Sequence, residues 1–156
     1  SGFKNSKKEW IFYTDGDGQY DPKELLLLLK NINPDIDVVN GYKLIRSDNF
    51  VRKILGQLYN FSLHMLYRIP ISDIDCDFRL IRRSKINNIK LNSSGGSVCL
   101  ELILKLQKNG ARFAEVGVHH YEREYGHSQI FNIKNILKMF FENFNFYLKY
   151  YFLRES

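Results

Sequence analysis

The sequence is poor in cysteine and in long apolar runs, and each shortage excludes a class of protein. Its two cysteines, Cys76 and Cys99, are too few and too far apart for a disulfide framework or a zinc site, so we expect a reducing, cytoplasmic setting. No run approaches the roughly 18 apolar residues of a membrane span. Basic residues are scattered and form no tail, so a nucleic-acid partner is not expected.

The composition is that of a globular protein with an excess of positive charge. The 156 residues suffice for one hydrophobic core, 44% of them are hydrophobic, and 26% are charged. The formal net charge of +6 favours anionic partners such as nucleotides, lipid phosphates or an anionic membrane face. We therefore expect one globular domain with an anionic ligand.

An acidic loop follows the first apolar run of the chain. Residues 10–14 are strand-like, and Asp15 and Asp17 come directly after them, separated by one glycine. Asp21 suits a helix N-cap, and Glu24 stands where the acid of a capping box belongs. The two acids are therefore predicted on a loop between a strand and a helix, where open α/β sheets bind ligands.

This loop is a candidate metal site. Asp15 and Asp17, with Gln19 as a third ligand, offer hard oxygens that suit Mg²⁺ or Mn²⁺. A solvated acidic turn is the plainer interpretation of an Asp-x-Asp taken alone. A calcium EF-hand is excluded, because Tyr20 and Leu26 occupy the positions of its glycine and its glutamate.

The spacing of apolar residues predicts alternating helices and strands. They are a helix at 22–31, a strand at 37–42, a charged loop at 43–49, a helix at 50–67, a strand at 78–81, a helix at 97–109 and a strand at 112–119. The five leucines from Leu25 to Leu29 leave no polar face, which predicts a helix covered on more than one side. A helix joining two strands places them parallel, so we predict an α/β fold whose mixed, mostly parallel sheet is flanked by helices.

Four motifs occur in order along the chain. They are Thr14–Gln19 (TDGDGQ), Asp73–Leu80 (DIDCDFRL), Glu101 within a helix, and Glu115–Arg123 (EVGVHHYER) followed by Gly126 and Ser128. Together they resemble family 2 glycosyltransferases, most closely the branch of dolichol-phosphate mannosyltransferases and bacterial polyprenyl-phosphate glycosyltransferases. The resemblance covers nearly the whole chain. It implies a GT-A (Rossmann-like) fold and a metal-dependent, inverting enzyme that takes its sugar from a nucleoside-diphosphate sugar.

The second acidic motif is implied to be catalytic. Asp73, and with it Asp75, would accept the proton of a sugar hydroxyl acceptor, and crowding of carboxylates raises the pKa of one of them. A lipid phosphate acceptor is already an anion and needs no base. The alternative is a capping or salt-bridging role, with Arg79 as a partner. Glu101 either supports the loop at 123–128 or faces water.

Basic residues are implied to bind phosphate. Arg123, with Gly126 and Ser128, resembles the family's phosphate-contacting loop, since an arginine fork suits phosphate oxygens. Lys43 stands where the family often places an arginine against the acceptor phosphate, and Arg52 is a further candidate. A solvated surface charge is the alternative for each.

The resemblance also predicts the domain organisation. In the family, a nucleotide-binding strand–helix–strand portion precedes the Asp-x-Asp strand, so we expect residues 1–129 to be the rear portion of a GT-A domain. Residues 130–156 are predicted as an amphipathic, aromatic helix that lies on the inner membrane face or packs on protein, including a second copy. The expected acceptor is a polyprenyl phosphate. The alternatives are a glycan-extending transferase of surface polysaccharide synthesis and a non-catalytic remnant that binds partners or membranes.

Overall fold

A computed structural model of the chain describes residues 2–46, 50–93, 97–122 and 141. Its elements, in chain order, are α1 (Gly2–Asn5), β1 (Trp10–Thr14), a 3-10 turn (Pro22–Glu24), α2 (Leu25–Leu29), β2 (Val38–Arg46), α3 (Phe50–Tyr67), β3 (Phe78–Arg82), α4 (Arg83–Ile86), α5 (Ser97–Lys108) and β4 (Phe113–His120). Helices and strands alternate as the sequence predicted, except that the short helix α4, which was not predicted, lies between β3 and α5.

In the described part of the chain, four strands form one sheet in the order β1-β3-β2-β4. Strand β3 runs antiparallel to both β1 and β2, whereas β2 and β4 are parallel. Three strands therefore share one direction, which confirms the predicted mixed, mostly parallel sheet. Strands β1 and β2 are parallel but not neighbours, because β3 lies between them.

Helices cover both faces of this sheet. On one face, Leu28 of α2 packs with Val39 and Phe78. On the other face, Leu102 of α5 packs with Ile81. Helix α3 packs against α5 in a further cluster. Because successive residues of a strand point to opposite faces, both faces of β3 and of residues 38–41 of β2 are buried, and a polar residue there needs a partner inside the protein.

The leucine run forms a shorter helix than predicted. Leu28 is the one buried residue of α2, and Leu26 is 62% exposed. The prediction that this helix is covered on more than one side is wrong for the described residues. A helix of little more than one turn brings a single side chain onto the sheet.

The residues before α2 include a confirmed cap and a corrected one. The side chain of Asp21 accepts a hydrogen bond from the N–H of Lys23 at 2.9 Å, as an N-cap does. The carboxylate of Glu24 contacts β4 instead, where it accepts from the N–H of His119 at 2.8 Å. The capping-box interpretation of Glu24 is therefore wrong, and this residue joins the start of α2 to the end of β4.

Strand β2 extends beyond its predicted end. It continues through Lys43 to Arg46, which the sequence predicted as a charged loop, because its backbone pairs with β4 as far as His120. Main-chain pairing with a neighbouring strand outweighs the low strand preference of the charged side chains. Lys43 consequently projects from a strand instead of a loop.

Gly41 lies where two strands pack closely, and we predict that alanine is poorly tolerated there. A Cβ at this position would lie 2.9 Å from the carbonyl oxygen of Phe78 and 3.0 Å from the Sγ of Cys76. The carbonyl belongs to the backbone of β3 and cannot move without disturbing the sheet. Gly41→Ala should therefore lower the free energy of unfolding in urea by about 1–3 kcal/mol, as overpacking does.

Gly117→Ala is the matched control for this prediction. The three atoms nearest to its added Cβ all belong to the side chain of Leu44, which is 51% exposed and able to turn away. We expect this variant to remain within about 0.5 kcal/mol of the parent. Equal losses in the two variants would contradict the packing argument.

Candidate functional site

Two acidic loops meet at one edge of the sheet. The first acidic loop (residues 15–19) follows β1, and the second acidic loop (residues 73–77) precedes β3. The last residue of β1 is paired with the first residue of β3. Just beyond this pair, the N–H of Asp15 donates to the carbonyl of Asp77 at 3.3 Å. Antiparallel pairing thus brings together two motifs that lie far apart in the sequence.

The first acidic loop is also joined to the end of β4. Within the loop, Asp17 accepts from the N–H of Gln19 at 3.1 Å. The side-chain amide of Gln19 donates to the carbonyl of Tyr121 at 2.9 Å, and the N–H of Tyr121 donates to the carbonyl of Gln19 at 2.8 Å. The chain therefore leaves β4 directly beside the candidate metal ligands.

Several predicted site residues cannot be placed. Arg123, Gly126 and Ser128 lie outside the described residues, as does the predicted helix at 130–156 apart from residue 141. Arg52 belongs to α3, where the structure describes its backbone and not its side chain. These assignments remain predictions.

Lys43 lies against the second acidic loop. Its N–H donates to the Asp73 carboxylate at 3.3 Å, and its Nζ donates to the carbonyl of Asp75 at 2.9 Å. Asp73 is buried, whereas Asp75 is exposed. The structure therefore brings together the residue predicted to bind phosphate and the two acids predicted to be catalytic.

The surroundings of Asp75 favour its protonated form. Desolvation by the surrounding protein raises its pKa to about 6, the negative charge of Asp73 adds to the rise, and Lys43 opposes it. Asp75 is also exposed to solvent, and there the negative charge of Asp73 still raises the pKa of the carboxyl beside it. A carboxylate with this pKa can accept a proton near neutral pH.

A cleft of about 260 Å³ opens beside the second acidic loop. Its lining combines a cation, a carboxylate, two amides and two hydroxyl groups, from Tyr42, Lys43, Gln57, Asn60, Ser72 and Asp73. Glu115 holds one wall in place by accepting from the N–H of Ser72 at 2.7 Å and from its hydroxyl at 2.9 Å. The second acidic loop therefore lines the cleft with Asp73 at one end. At its other end, Asp77 contacts the first acidic loop.

A buried arginine lies beneath the second acidic loop. Arg79 is fully buried, and its Nε donates to the side-chain oxygen of Asn40 at 2.7 Å. Its Nη2 donates to the carbonyl of Ile74 and lies 3.6 Å from the Asp77 carboxylate. Sequence reasoning named Arg79 as a supporting residue but missed Asn40. The signal was an asparagine within a strand of buried residues, which must have a polar partner.

Glu101 is buried within α5 and holds the segment that precedes the helix. It accepts from the N–H groups of Asn92 at 3.0 Å and Ser93 at 2.7 Å, and it pairs with Lys105 at 2.8 Å. The alternative that Glu101 faces water is wrong. Burial opposes its ionisation, but the hydrogen bonds from Lys105 and from the two N–H groups outweigh burial and lower the pKa of this carboxyl.

The first acidic loop has the donor chemistry of a divalent-cation site. No three His, Cys, Asp or Glu side chains gather as a metal site within the part of the chain that the structure describes. Asp15 and Asp17 nevertheless suit Mg²⁺ or Mn²⁺, since Mg²⁺ is usually held by one or two carboxylates together with phosphate oxygens and water. Gln19 would contribute to such a site only the carbonyl oxygen of its side chain, because the amide nitrogen donates hydrogen bonds and offers no lone pair to a metal.

The sequence of this chain matches the model of a known protein family. The model of the family described as Glycosyl transferase family 2 matches residues 1–90, which is more than half of the chain and includes both acidic loops. The chain belongs to glycosyl transferase family 2. The helix-flanked sheet of this family 2 chain is that of a partial GT-A domain, as the resemblance implied.

Individual relatives extend the similarity beyond residue 90. The chain is similar to the undecaprenyl-phosphate 4-deoxy-4-formamido-L-arabinose transferases of Salmonella paratyphi B, Salmonella newport and Salmonella heidelberg, with 27% identity over 129 residues in each case. The aligned region is 83% of this chain and 38% of each relative, so the chain spans less than two fifths of their length. Among the described residues of this family 2 chain, no helix has the length and apolar character to cross a membrane.

The lowered pKa of Glu101 predicts a pH-dependent contribution to stability. A carboxyl whose pKa is lower in the folded than in the unfolded state stabilises the fold above its ordinary value of 4.5, and the stabilisation is lost as the pH falls through the folded value. Glu101→Gln should therefore lower the free energy of unfolding at pH 7 by about 1–3 kcal/mol. The difference from the parent should shrink as the pH falls below 4.5 in urea unfolding experiments.

Glu122→Gln serves as the control, because Glu122 is exposed. It should change the unfolding free energy by no more than about 0.5 kcal/mol at any pH. A deficit in Glu101→Gln that is the same at pH 3 and pH 7 would contradict an ionised, hydrogen-bonded Glu101.

Proposed function

We propose that this chain is part of a metal-dependent, inverting glycosyltransferase that moves a sugar from a nucleoside-diphosphate sugar to a polyprenyl phosphate. The observation that carries this proposal is the meeting of the two acidic loops, marked by the hydrogen bond from Asp15 to Asp77. The reaction needs a cation site for the donor diphosphate beside the groups that receive the acceptor. The two loops and the cleft would supply these parts next to one another, which supports the proposal.

The donor is proposed to bind at the first acidic loop. Asp15 and Asp17 would hold Mg²⁺ or Mn²⁺, which when bound offsets the negative charge on the departing nucleoside diphosphate. A Cβ built on Gly16 or Gly18 meets no atom within 4 Å, so there is open space on this loop for a bulky ligand. Gly18 also has a φ of 75°, a backbone conformation that favours glycine.

The acceptor is proposed to bind in the cleft on the other side of the second acidic loop. Lys43 is the cation of this cleft and would attract an acceptor phosphate. In the inverting reaction, an acceptor oxygen attacks the anomeric carbon from the face opposite the diphosphate. The bond between the sugar and the diphosphate breaks, and its electron pair leaves with the diphosphate.

An apolar strip on α3 supports a lipid acceptor. Leu58, Phe61 and Met65 are 57%, 64% and 71% exposed. They lie on the helix next to Gln57 and Asn60, which line the cleft. An apolar surface beside a cationic cleft suits a molecule with a phosphate at one end and a hydrocarbon chain at the other. The relatives are named as undecaprenyl-phosphate transferases, which supports the same choice. We therefore propose peripheral contact with the inner membrane face.

Binding of the donor nucleotide tests the metal assignment. Isothermal titration of the chain with Mn²⁺ followed by UDP or GDP should show nucleotide binding that requires the metal. The double variant Asp15→Asn/Asp17→Asn should lower this affinity at least about tenfold, because amides are weaker ligands than carboxylates for a hard cation.

Asp21→Asn is the matched control, because it removes one carboxylate just beyond the same loop while asparagine remains a good N-cap. It should bind nucleotide as the parent does. Parent-like binding in the Asp15→Asn/Asp17→Asn variant would contradict a metal site at this loop.

Transfer assays with two kinds of acceptor test the role of the second acidic loop. A panel of UDP- and GDP-sugars would be offered with undecaprenyl phosphate or with a glycan acceptor to Asp73→Asn and Asp75→Asn. With the lipid phosphate, we expect neither variant to lose more than about tenfold in kcat, since general-base catalysis, worth 10²–10⁴-fold, is not required. A loss of two orders of magnitude or more with undecaprenyl phosphate would contradict transfer to this acceptor without a general base, and absence of transfer by the parent would contradict the acceptor itself. The same loss with a glycan alone would identify the base used for hydroxyl acceptors.

A further inference from the structure

Asn40 and Arg79 form a buried polar pair between β2 and β3. Both residues are 0% exposed, and they are partners in the strand register. The Nε of Arg79 donates to the side-chain oxygen of Asn40 at 2.7 Å. A guanidinium has hydrogen-bond donors and no acceptor, so this contact fixes which end of the Asn40 amide faces the arginine. The oxygen must face Arg79, and the nitrogen must face away from it.

The nitrogen of the same amide faces the second acidic loop. Its Nδ2 donates to the carbonyl of Asp73 at 3.1 Å and to that of Gly41 at 2.6 Å. Arg79 donates to the carbonyl of Ile74, the next residue of the loop. Two side chains from neighbouring strands therefore hold two successive carbonyl groups of the loop. Asp73 and Ile74 are themselves buried, so these bonds are shielded from solvent.

We propose that Asn40 is a positioning residue, which sets the place of the second acidic loop by donating its side-chain amide to the carbonyl of Asp73. This proposal rests on the proposed function, because the loop matters for transfer through the residues that it presents to the cleft. Asn40 acts through the loop: it is fully buried and faces a main-chain carbonyl.

The geometry makes the loop sensitive to this single bond. The carbonyl of Asp73 and its carboxylate belong to one residue, and the carboxylate lines the cleft and accepts from the N–H of Lys43. Release of the carbonyl would let both groups move relative to β2. The reacting groups of the acceptor would then be misplaced. The first acidic loop would keep its internal hydrogen bond between Gln19 and Asp17 and its contact with Tyr121.

The variant Asn40→Asp separates the hydrogen bond that the Asn40 side chain accepts from the two that it donates. A carboxylate still accepts from Arg79, so the buried cation keeps its partner, but it has no N–H to donate to Asp73. We expect an unfolding temperature between those of the parent and Asn40→Ala, because Arg79 keeps its acceptor while two buried carbonyl groups lose their donor. We also expect a kcat about three- to tenfold lower with undecaprenyl phosphate, with the KM for the donor within threefold of the parent, because a misplaced acceptor affects transfer more than donor binding.

Hydrogen–deuterium exchange supplies a readout that does not need activity. Peptides that cover residues 71–77 should exchange faster in Asn40→Asp than in the parent when both are measured well below their unfolding temperatures. Asn40→Ala, which loses all three side-chain hydrogen bonds, should show the same faster exchange together with a still lower unfolding temperature. Parent-like exchange of the loop in these variants overturns the proposal, whatever their stability.

Asp37→Asn is the matched control. Asp37 is a similarly buried polar residue just before β2 at the opposite end of the sheet, where it accepts from the N–H of Arg112 at 3.0 Å and pairs with Arg82 at 3.3 Å. This variant should lower the unfolding temperature without faster exchange at 71–77 and without a selective loss of kcat. An equal kcat loss in Asp37→Asn and Asn40→Asp would assign the effect to general destabilisation and overturn the proposal.

Absence of transfer by the parent with every donor would count against the proposed function, while the exchange result would still decide the role of Asn40.

Discussion

A buried arginine must find acceptors inside the protein, because water cannot reach it, and Arg79 finds them in β2 and in the second acidic loop. Removing a guanidinium from water costs several kcal/mol before its partners are counted. The side-chain oxygen of Asn40, the carbonyl of Ile74 and the nearby carboxylate of Asp77 offset that cost. These contacts hold the loop against the sheet, and the same loop meets the first acidic loop through Asp15. The position of the second acidic loop therefore depends on one buried charge as well as on the pairing of β1 with β3.

The two ends of the sheet balance charge differently. At one end, the buried carboxylate of Asp37 is surrounded by cations, among them Arg82 and Arg112, and the arrangement is an ionic contact between strands and neighbouring segments. At the other end, the carboxylates of the second acidic loop outnumber the cations beside them, and desolvation together with the charge of Asp73 raises the pKa of Asp75. Such a negative region repels a diphosphate unless a cation lies between them. The excess of carboxylates at the candidate site is consistent with the proposed metal, which would accompany the donor.

Patterns confined to a few residues predicted much of the fold. The N-cap at Asp21 and the end of α5 were both predicted, and Gly110 there has a φ of 66° and donates to Gln107. The sequence also placed both acidic motifs on loops beside strands. It failed where a partner distant in sequence decided the outcome. Lys43 joins β2 because β4 lies alongside, and Glu24 leaves its own helix for His119. The partner of Asn40 was not predicted either, because Arg79 reaches it only through the pairing of β2 with β3.

The sequence by itself determined the family and most of the order of helices and strands, and it predicted the residues for metal and phosphate binding. Each of these depends on residue types and spacings within one motif. Only the tertiary structure decided which motifs meet: Asp15 with Asp77, and Gln19 with Tyr121, 102 residues further along the chain. The order of strands in a sheet is set by the packing of the whole domain, and no local pattern encodes it. For the same reason, the contacts of Asn40 and Arg79 beneath the second acidic loop exist only because β2 and β3 are neighbours.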